Sequence, residues 1–439
     1  MRRSWARLAT SWALGAVLSG CGGYSGADDN RLWGTLCIAV SDDAFCAQRG
    51  KDCGLVTYTD NCGQVRCVSC GTCAGDLTCA GAGVANVCGK ATVTAHDACP
   101  APRGGVQWDG KKRFLYGTNF PWLSWGGDFG GVAAWNVPGV DAESDRYDSA
   151  LKTMKTAGAN VIRWWMFPRL FSDGLSFNPD NTPAAIGGSI TADVATALRL
   201  ADANDVYLIL TLFSFDNFRT STYEAGIYSR SIGPMVVDPA MRARLLDNLV
   251  RPLAQAVEAS PYKKQMIAWE IINEPEWAMA GADKYGGSNF IPQTDLDQVT
   301  HDEMESFVNE TSAVLRAHSS ALITIGGASI KWANAWTHTD IDFYELHYYD
   351  WMYQWYPYPY ITLQSTGLTD KPVVLGEYPE QGLSEMGELP SRTPAQFASD
   401  LWAQGYAGAL SWAFNDPLFR WDDGAIKDFG AANGCETSF

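Results

Sequence analysis

Two glutamates stand at the ends of apolar runs. Met266-Ile267-Ala268-Trp269 leads through Glu270-Ile271-Ile272 to Asn273-Glu274-Pro275, and Pro372-Val373-Val374-Leu375-Gly376 leads to Glu377-Tyr378. Each run has the length and composition of a buried strand that delivers polar groups at its carboxyl end. Pro275 stops the first ladder because it has no N–H to donate. Strand alternation puts Glu270, Ile272 and Glu274 on one face and Asn273 on the other, unless the strand end twists. One carboxyl beside an amide could be a strand-end salt bridge. Two on one sheet are what acid–base chemistry on a glycosidic bond requires. One must be protonated to release the leaving group, and the other ionised to attack or stabilise the anomeric carbon.

Asn273-Glu274-Pro275 after one strand and Gly376-Glu377 ending a later one resemble the retaining glycoside hydrolases of clan A, and family 5 (cellulases and mannanases) most closely. The resemblance implies a (β/α)8 barrel, with Glu274 on strand four as acid/base and Glu377 on strand seven as nucleophile. It places Arg163, at the end of strand two, beside the nucleophile. Asn273 would bind the sugar 2-hydroxyl. His347 and Tyr349, in His347-Tyr348-Tyr349, match the family's His-x-Tyr pair, which contacts the acid/base and the nucleophile respectively. Trp412 would floor the reacting sugar's subsite. Strand three runs into Phe213-Ser214-Phe215-Asp216-Asn217 without the histidine many family 5 cellulases carry there. That departure tilts the expected substrate towards a β-1,4-mannan cleaved internally, with a β-glucan as the alternative within the family. A non-catalytic glycan-binding surface lipoprotein is the competing class. It accounts for aromatic loops but not for two glutamates with these neighbours.

The elements that would position these groups are legible as a series. Eight apolar runs, at 113–117, 160–164, 206–212, 266–272, 322–325, 342–346, 373–376 and 409–414, alternate with helical patterns at 148–157, 190–204 and 241–259. That alternation predicts a parallel sheet with outer helices, closed as a barrel whose site lies at the strands' carboxyl ends. Asp238-Pro239 reads as a capped helix start. After strand one come Asn119, Trp122 and Trp125, which could be a sugar-stacking wall or a core cluster. Six aromatics fall within 351–360 and suit a loop forming sugar subsites, or a lid. Glu276 is read as solvated and as the nearest competitor for the acid role. Asn415, Asp416, Trp421 and Asp422 would extend the rim.

The 439 residues carry a formal charge of −17, which disfavours nucleic acid and anionic membrane surfaces as partners. Five scattered histidines make no ligand pattern, so neither a cofactor nor a catalytic metal is expected. Residues 1–20 have Arg2, Arg3 and Arg7 before a short apolar core, as a signal peptide does. Leu18-Ser19-Gly20-Cys21 resembles a bacterial lipobox. It implies a lipidated Cys21 at the outer membrane or cell surface; ordinary secretion is the alternative. Residues 21–36 read as a tether. Ten cysteines lie between Cys37 and Cys99 in a stretch too poor in large apolar residues for a substantial core. With an export signal in front, the overlapping Cys-x-x-Cys pairs at Cys67, Cys70 and Cys73 point to disulfides rather than zinc. This module (37–99) would be a glycan-binding unit or a protease-resistant spacer. Cys435 is expected to close onto Cys99. The catalytic domain is expected over 105–439, as a monomer.

Overall fold

The computed structural model describes residues 37–75, 77–79, 86–90, 104–354, 362–379, 382–384, 391–415, 427 and 429. The expected signal peptide, Cys21 and the tether therefore lie outside the described residues. So do the Cys99–Cys435 pairing, most of the aromatic run 351–360, and Asp416, Trp421 and Asp422. The chain divides into two compact units, Met1–Asp97 and Ala98–Phe439.

In the first unit, disulfides join Cys37 to Cys62, Cys46 to Cys70, Cys53 to Cys79 and Cys73 to Cys88. A short helix (Asp42–Ala47) and a hairpin (Leu55–Thr59 with Val65–Ser69) enclose a small apolar cluster of Phe45, Cys46, Val56 and Val68. Burial on that scale does not hold a unit of this size, and the cross-links supply the remainder. Among the described cysteines, Cys53, Cys73 and Cys88 lie close enough to suggest a metal cluster, but each is a half-cystine.

The second unit is the expected (β/α)8 barrel. Its strands are β1 (Leu115–Phe120), β2 (Val161–Trp165), β3 (Tyr207–Ser214), β4 (Met266–Asn273), β5 (Leu322–Gly327), β6 (Tyr344–His347), β7 (Val373–Pro379) and β8 (Gly408–Trp412), parallel and closed in that order. Strands β1, β2, β4, β6 and β7 are buried at every position, as sheets covered on both faces require. The barrel's amino-terminal end is filled by Leu115, Val161, Ile209, Val374 and Leu410. A hairpin (Val106–Trp108 with Lys111–Arg113) contributes Val106 to the same cluster and ties Trp108 Nε1 to the Lys264 carbonyl at 3.1 Å. The other half of the interior is polar and faces the site.

Most strands run one to three residues further at their carboxyl ends than the apolar runs do, because the polar residues there still pair in the ladder. The outer helices include α1 (Ser144–Thr156), α2 (Gly188–Ala203), α3 (Pro239–Leu245), α4 (Arg251–Ala259), α5 (His301–His318) and α6 (Pro394–Gln404). The helix expected over 241–259 is two helices. Asp238 caps α3 by accepting from the Ala240 and Met241 amides, with Pro239 in the first turn. A π-helical turn (Leu246–Val250) then separates α3 from α4, where Pro252 cannot donate to the preceding turn.

Glycines on β5 and β7 make room for buried carboxyls. A Cβ on Gly326 would lie 2.4 Å from Glu270 Oε1 and 2.9 Å from Arg163 Nη2, and one on Gly376 would lie 2.1 Å from Glu345 Oε1. Gly326→Ala should therefore destabilise the barrel by about 2 kcal/mol or more. Gly188→Ala, in open space at a helix start, serves as the control. Urea unfolding checks this: the midpoint should drop for the first variant and hold for the second.

Candidate active site

Arg163, on β2, is fully buried in the barrel's polar half. Its Nε and Nη2 donate to the two oxygens of Glu270 at 2.5 and 2.6 Å. Nη1 donates to Glu377 Oε1 at 2.7 Å and to Asn119 Oδ1 at 2.7 Å, and Nη2 also donates to Asn273 Oδ1 at 2.7 Å. One guanidinium on β2 thus fixes groups from β1, β4 and β7. Burial opposes its charge, but the surrounding glutamates outweigh that and hold it firmly protonated.

Strand alternation predicts Asn273 on the face opposite Glu270, and it is not there. The register of β4 against β5 slips between Glu270 and Asn273. Ile271 and Ile272 both pack into the outer apolar core, and Asn273 turns inward beside Glu270. A bulge inserts one residue and re-aims the side chains beyond it. Glu274 then adopts a left-handed backbone conformation (φ 49°), uncommon for a residue with a Cβ, and Pro275 opens a short helical turn. With its carbonyl taken by Arg163, Asn273 points its amide Nδ2 towards Ser214 Oγ at 3.4 Å, a weak contact that leaves a donor for a ligand.

Glu274 and Glu377 face each other. Their nearest carboxylate oxygens and a ring nitrogen of His347 all lie within 4.8 Å of one another. An approach that close is on the side of the about 5–5.5 Å of retaining glycosidases and falls short of the about 6.5–9.5 Å of inverting ones. Glu377 accepts from Arg163 at Oε1 and from the Tyr349 hydroxyl at Oε2 (2.7 Å). Burial leaves its carboxyl above the ordinary range, and Arg163 and the Tyr349 hydroxyl, direct donors to its two oxygens, offset part of that and favour the anion. Glu274 accepts from Trp277 Nε1 at Oε2 (2.9 Å), and its Oε1 is 2.8 Å from His347 Nδ1. Burial pushes Glu274 up to about 7. Burial also pushes His347 down to about 4, so the imidazole is neutral and meets Glu274 as acceptor or donor according to its tautomer. The pair offers one carboxyl that holds a proton to about 7 and one whose two oxygens are each held by a direct donor.

The cluster Glu274–His347–Glu377 has the composition of a metal site. Its atoms are already matched to one another, and the Arg163 charge lies 2.7 Å from Glu377, where it would repel a cation.

Glu276, read from sequence as solvated, is fully buried. Its Oε2 accepts from the Ala328 amide at 3.0 Å and its Oε1 from Trp336 Nε1 at 2.8 Å. Burial pushes it, too, up to about 7. With both oxygens engaged there, it pins the turn that carries Glu274 onto the β5 loop.

Sequence reasoning missed several groups. Glu345, on β6, lies 3.0 Å from Arg163 Nε but off the donor direction, so neither of its oxygens has a hydrogen-bond partner. Burial and the neighbouring Glu270 push it well above the ordinary carboxylate range, against the pull of the Arg163 charge. A charge in the apolar run Tyr344-Glu345-Leu346 was the signal. Asp128, fully buried, accepts from the Leu123 and Ser124 amides (2.9 and 2.8 Å), Tyr147 Oη (2.8 Å) and Trp164 Nε1 (2.9 Å). It thereby holds the loop that carries Trp122 and Trp125. Trp165 joins the aromatics expected at the rim. Ring centroids run from Trp412 to Trp165 (5.5 Å), Trp122 (5.5 Å), Trp125 (6.5 Å) and Trp135 (5.9 Å). On Glu274's other side Trp277 meets Trp332 (5.5 Å) and Trp351 (5.7 Å). Asn415 approaches the Trp122 carbonyl at 3.5 Å.

The comparisons agree with this geometry. The family model "Cellulase (glycosyl hydrolase family 5)" matches residues 127–414. A mannan endo-1,4-beta-mannosidase of Cryptopygus antarcticus is 25% identical over 352 residues, 70% of this chain and 82% of that protein. The fold is similar to that of the beta-mannanase of the blue mussel Mytilus edulis (TM-score 0.57, 19% identity, 76% of this chain and 97% of that one). It is also similar to that of the endo-1,4-beta-mannanase of Eisenia fetida (TM-score 0.56, 20% identity, 77% and 95%). With a family match over most of the barrel, this chain belongs to glycosyl hydrolase family 5 and is a retaining glycoside hydrolase.

Proposed function

We propose that the enzyme is an endo-acting β-1,4-mannanase in which Glu377 is the nucleophile and Glu274 the acid/base. The observation that carries the reading is the asymmetric environment of two close carboxyls. Arg163 and Tyr349 hydrogen-bond the oxygens of Glu377, whereas Glu274 sits against an indole and a neutral imidazole and retains a proton to about 7. Glu377 attacks the anomeric carbon while Glu274 protonates the departing oxygen. The covalent bond removes the Glu377 charge. Glu274, now ionised, takes a proton from water, which displaces Glu377 and restores both groups. Asn273 Nδ2 donates to the 2-hydroxyl of the reacting sugar, Trp412 floors it, and Trp122 and Trp125 continue the platform.

Mannan as substrate is supported by the names of the relatives and by Ser214, rather than histidine, at the end of β3. Export is supported by the four disulfides and the amino-terminal sequence. Lipid anchoring through Cys21 at the bacterial outer membrane or cell surface, a tether over 21–36 and a monomeric state complete the proposal. Among the described residues, no helix is long and apolar enough to cross a membrane.

Product release from glucomannan, galactomannan, cellulose, xyloglucan and xylan tests the substrate. Mannan-containing polymers should be cleaved, with kcat lowered by about 10²–10⁴ in Glu274→Gln and to a comparable or greater degree in Glu377→Gln. Cleavage of cellulose alone would shift the substrate to β-glucan. Binding without cleavage would overturn catalysis.

The pH profile has a direction. A carboxyl raised to about 7 works as an acid below that value, so kcat/KM should fall as pH rises through about 7. The Trp277 hydrogen bond stabilises ionised Glu274 and lowers its pKa. Trp277→Phe should therefore move the alkaline limb to higher pH, as read from a kcat/KM profile. An unmoved limb would mean that another group controls it.

A further inference from the structure

The rim aromatics do not end at Trp135. Its Nε1 donates at 2.8 Å to the carbonyl of Ala225, at the tip of a hairpin formed by Thr222–Glu224 and Ile227–Ser229. Ala225 and Gly226 both have positive φ (51° and 88°), as a two-residue turn of this twist demands, and Gly226 lies against Ala134. The hairpin belongs to the segment after β3, so it rises on the barrel's carboxyl-terminal face, beside the loop that carries Trp122, Trp125 and Trp135.

The two faces of this hairpin differ. On one face Ile227 is half-buried and Ser229 buried, while their cross-strand partners Glu224 and Thr222 are exposed. Tyr223 and Tyr228 are directly paired across the strands and therefore share the opposite face, where they are 71% and 37% exposed. Arg230 lies under Tyr228, 4.9 Å from its ring, and is itself stacked at 3.5 Å on Phe177. Tyr228 is thus braced from behind. A cross-strand Tyr pair steadies a hairpin, but that does not account for the contact that docks the tip on Trp135, the ring next in line to Trp125.

We infer that Tyr223 and Tyr228 form a distal binding platform for the same polysaccharide chain, several sugars beyond the bond that is cleaved. The occupant is identified by continuity with the cleft. The row Trp412, Trp165, Trp122, Trp125 and Trp135 leads to this hairpin's tip, so a chain laid along it would pass the hairpin, where two exposed phenols offer ring faces to sugar C–H groups and hydroxyls to sugar oxygens. The platform rests on the glycan-hydrolase reading but not on mannan as the polymer. It contributes to long substrates and not to short ones.

The test is the ratio of kcat/KM on the polymer to kcat/KM on an oligosaccharide just long enough to be cleaved, for the wild type and for the Tyr223→Ala/Tyr228→Ala double variant. The ratio should fall roughly tenfold, the size of a lost stacking contact, and Tyr223→Trp/Tyr228→Trp should restore it. An unchanged ratio, including an equal fall on both substrates, would overturn the platform. If the wild type cleaves a β-glucan instead of mannan, the substrate proposal fails, and the same ratio measured on that glucan and its oligosaccharides still decides the platform.

Discussion

The site depends on one buried positive charge. Arg163 meets Glu270 through both carboxylate oxygens, holds Glu377 by one, and donates to the amide carbonyls of Asn119 and Asn273. An uncompensated carboxylate at this depth would cost several kcal/mol. The guanidinium favours an ionised Glu377, and its planar fork dictates where three other strands present their polar groups. The rest of the polar interior is consistent with that charge balance. Glu270 takes a further bond from Thr211 at 2.6 Å, while Glu345, without a hydrogen bond of its own, is pushed well above the ordinary carboxylate range by burial. Gly326 and Gly376 have no Cβ where one would strike these carboxyls.

The two glutamates differ because their surroundings differ, not because of their own chemistry. Glu377 is surrounded by donors. Among the described residues, no cation is bonded to Glu274: burial keeps its proton, a neutral His347 lies beside it, and a single indole donor opposes in part. The backbone turn that carries it is set by the bulge in β4 and braced by Glu276. Glu276 matters through position. Its two hydrogen bonds to the β5 side fix the loop that aims its neighbour, and its burial removes it as a rival acid.

Much of this is legible in the sequence. Eight apolar runs suffice for a barrel, because a parallel sheet covered on both faces must be apolar along its length. Asn273-Glu274-Pro275, Gly376-Glu377, Arg163 and His347-Tyr348-Tyr349 suffice for the family and for the residues that converge. The features hidden from sequence depend on geometry that alternation cannot carry. Asn273 faces inward because of a bulge just before it. Glu276 is buried because Trp336, some sixty residues away, offers it an N–H. Glu345 and Asp128 are carboxyls inside otherwise apolar surroundings, visible as anomalies but with surroundings supplied by other strands and helices. The break between α3 and α4 is signalled by Pro252 and masked by an amphipathic pattern that continues across it.

The central claim is that Glu377, held by Arg163 and Tyr349, carries the covalent intermediate. An activated 2-deoxy-2-fluoro-β-glycoside of the cleaved sugar slows the second step and lets that intermediate accumulate. Peptide mass spectrometry of the inactivated enzyme should place one glycosyl group on Glu377, with time-dependent loss of activity. A label on Glu274, or inactivation without a label on Glu377, would contradict the account.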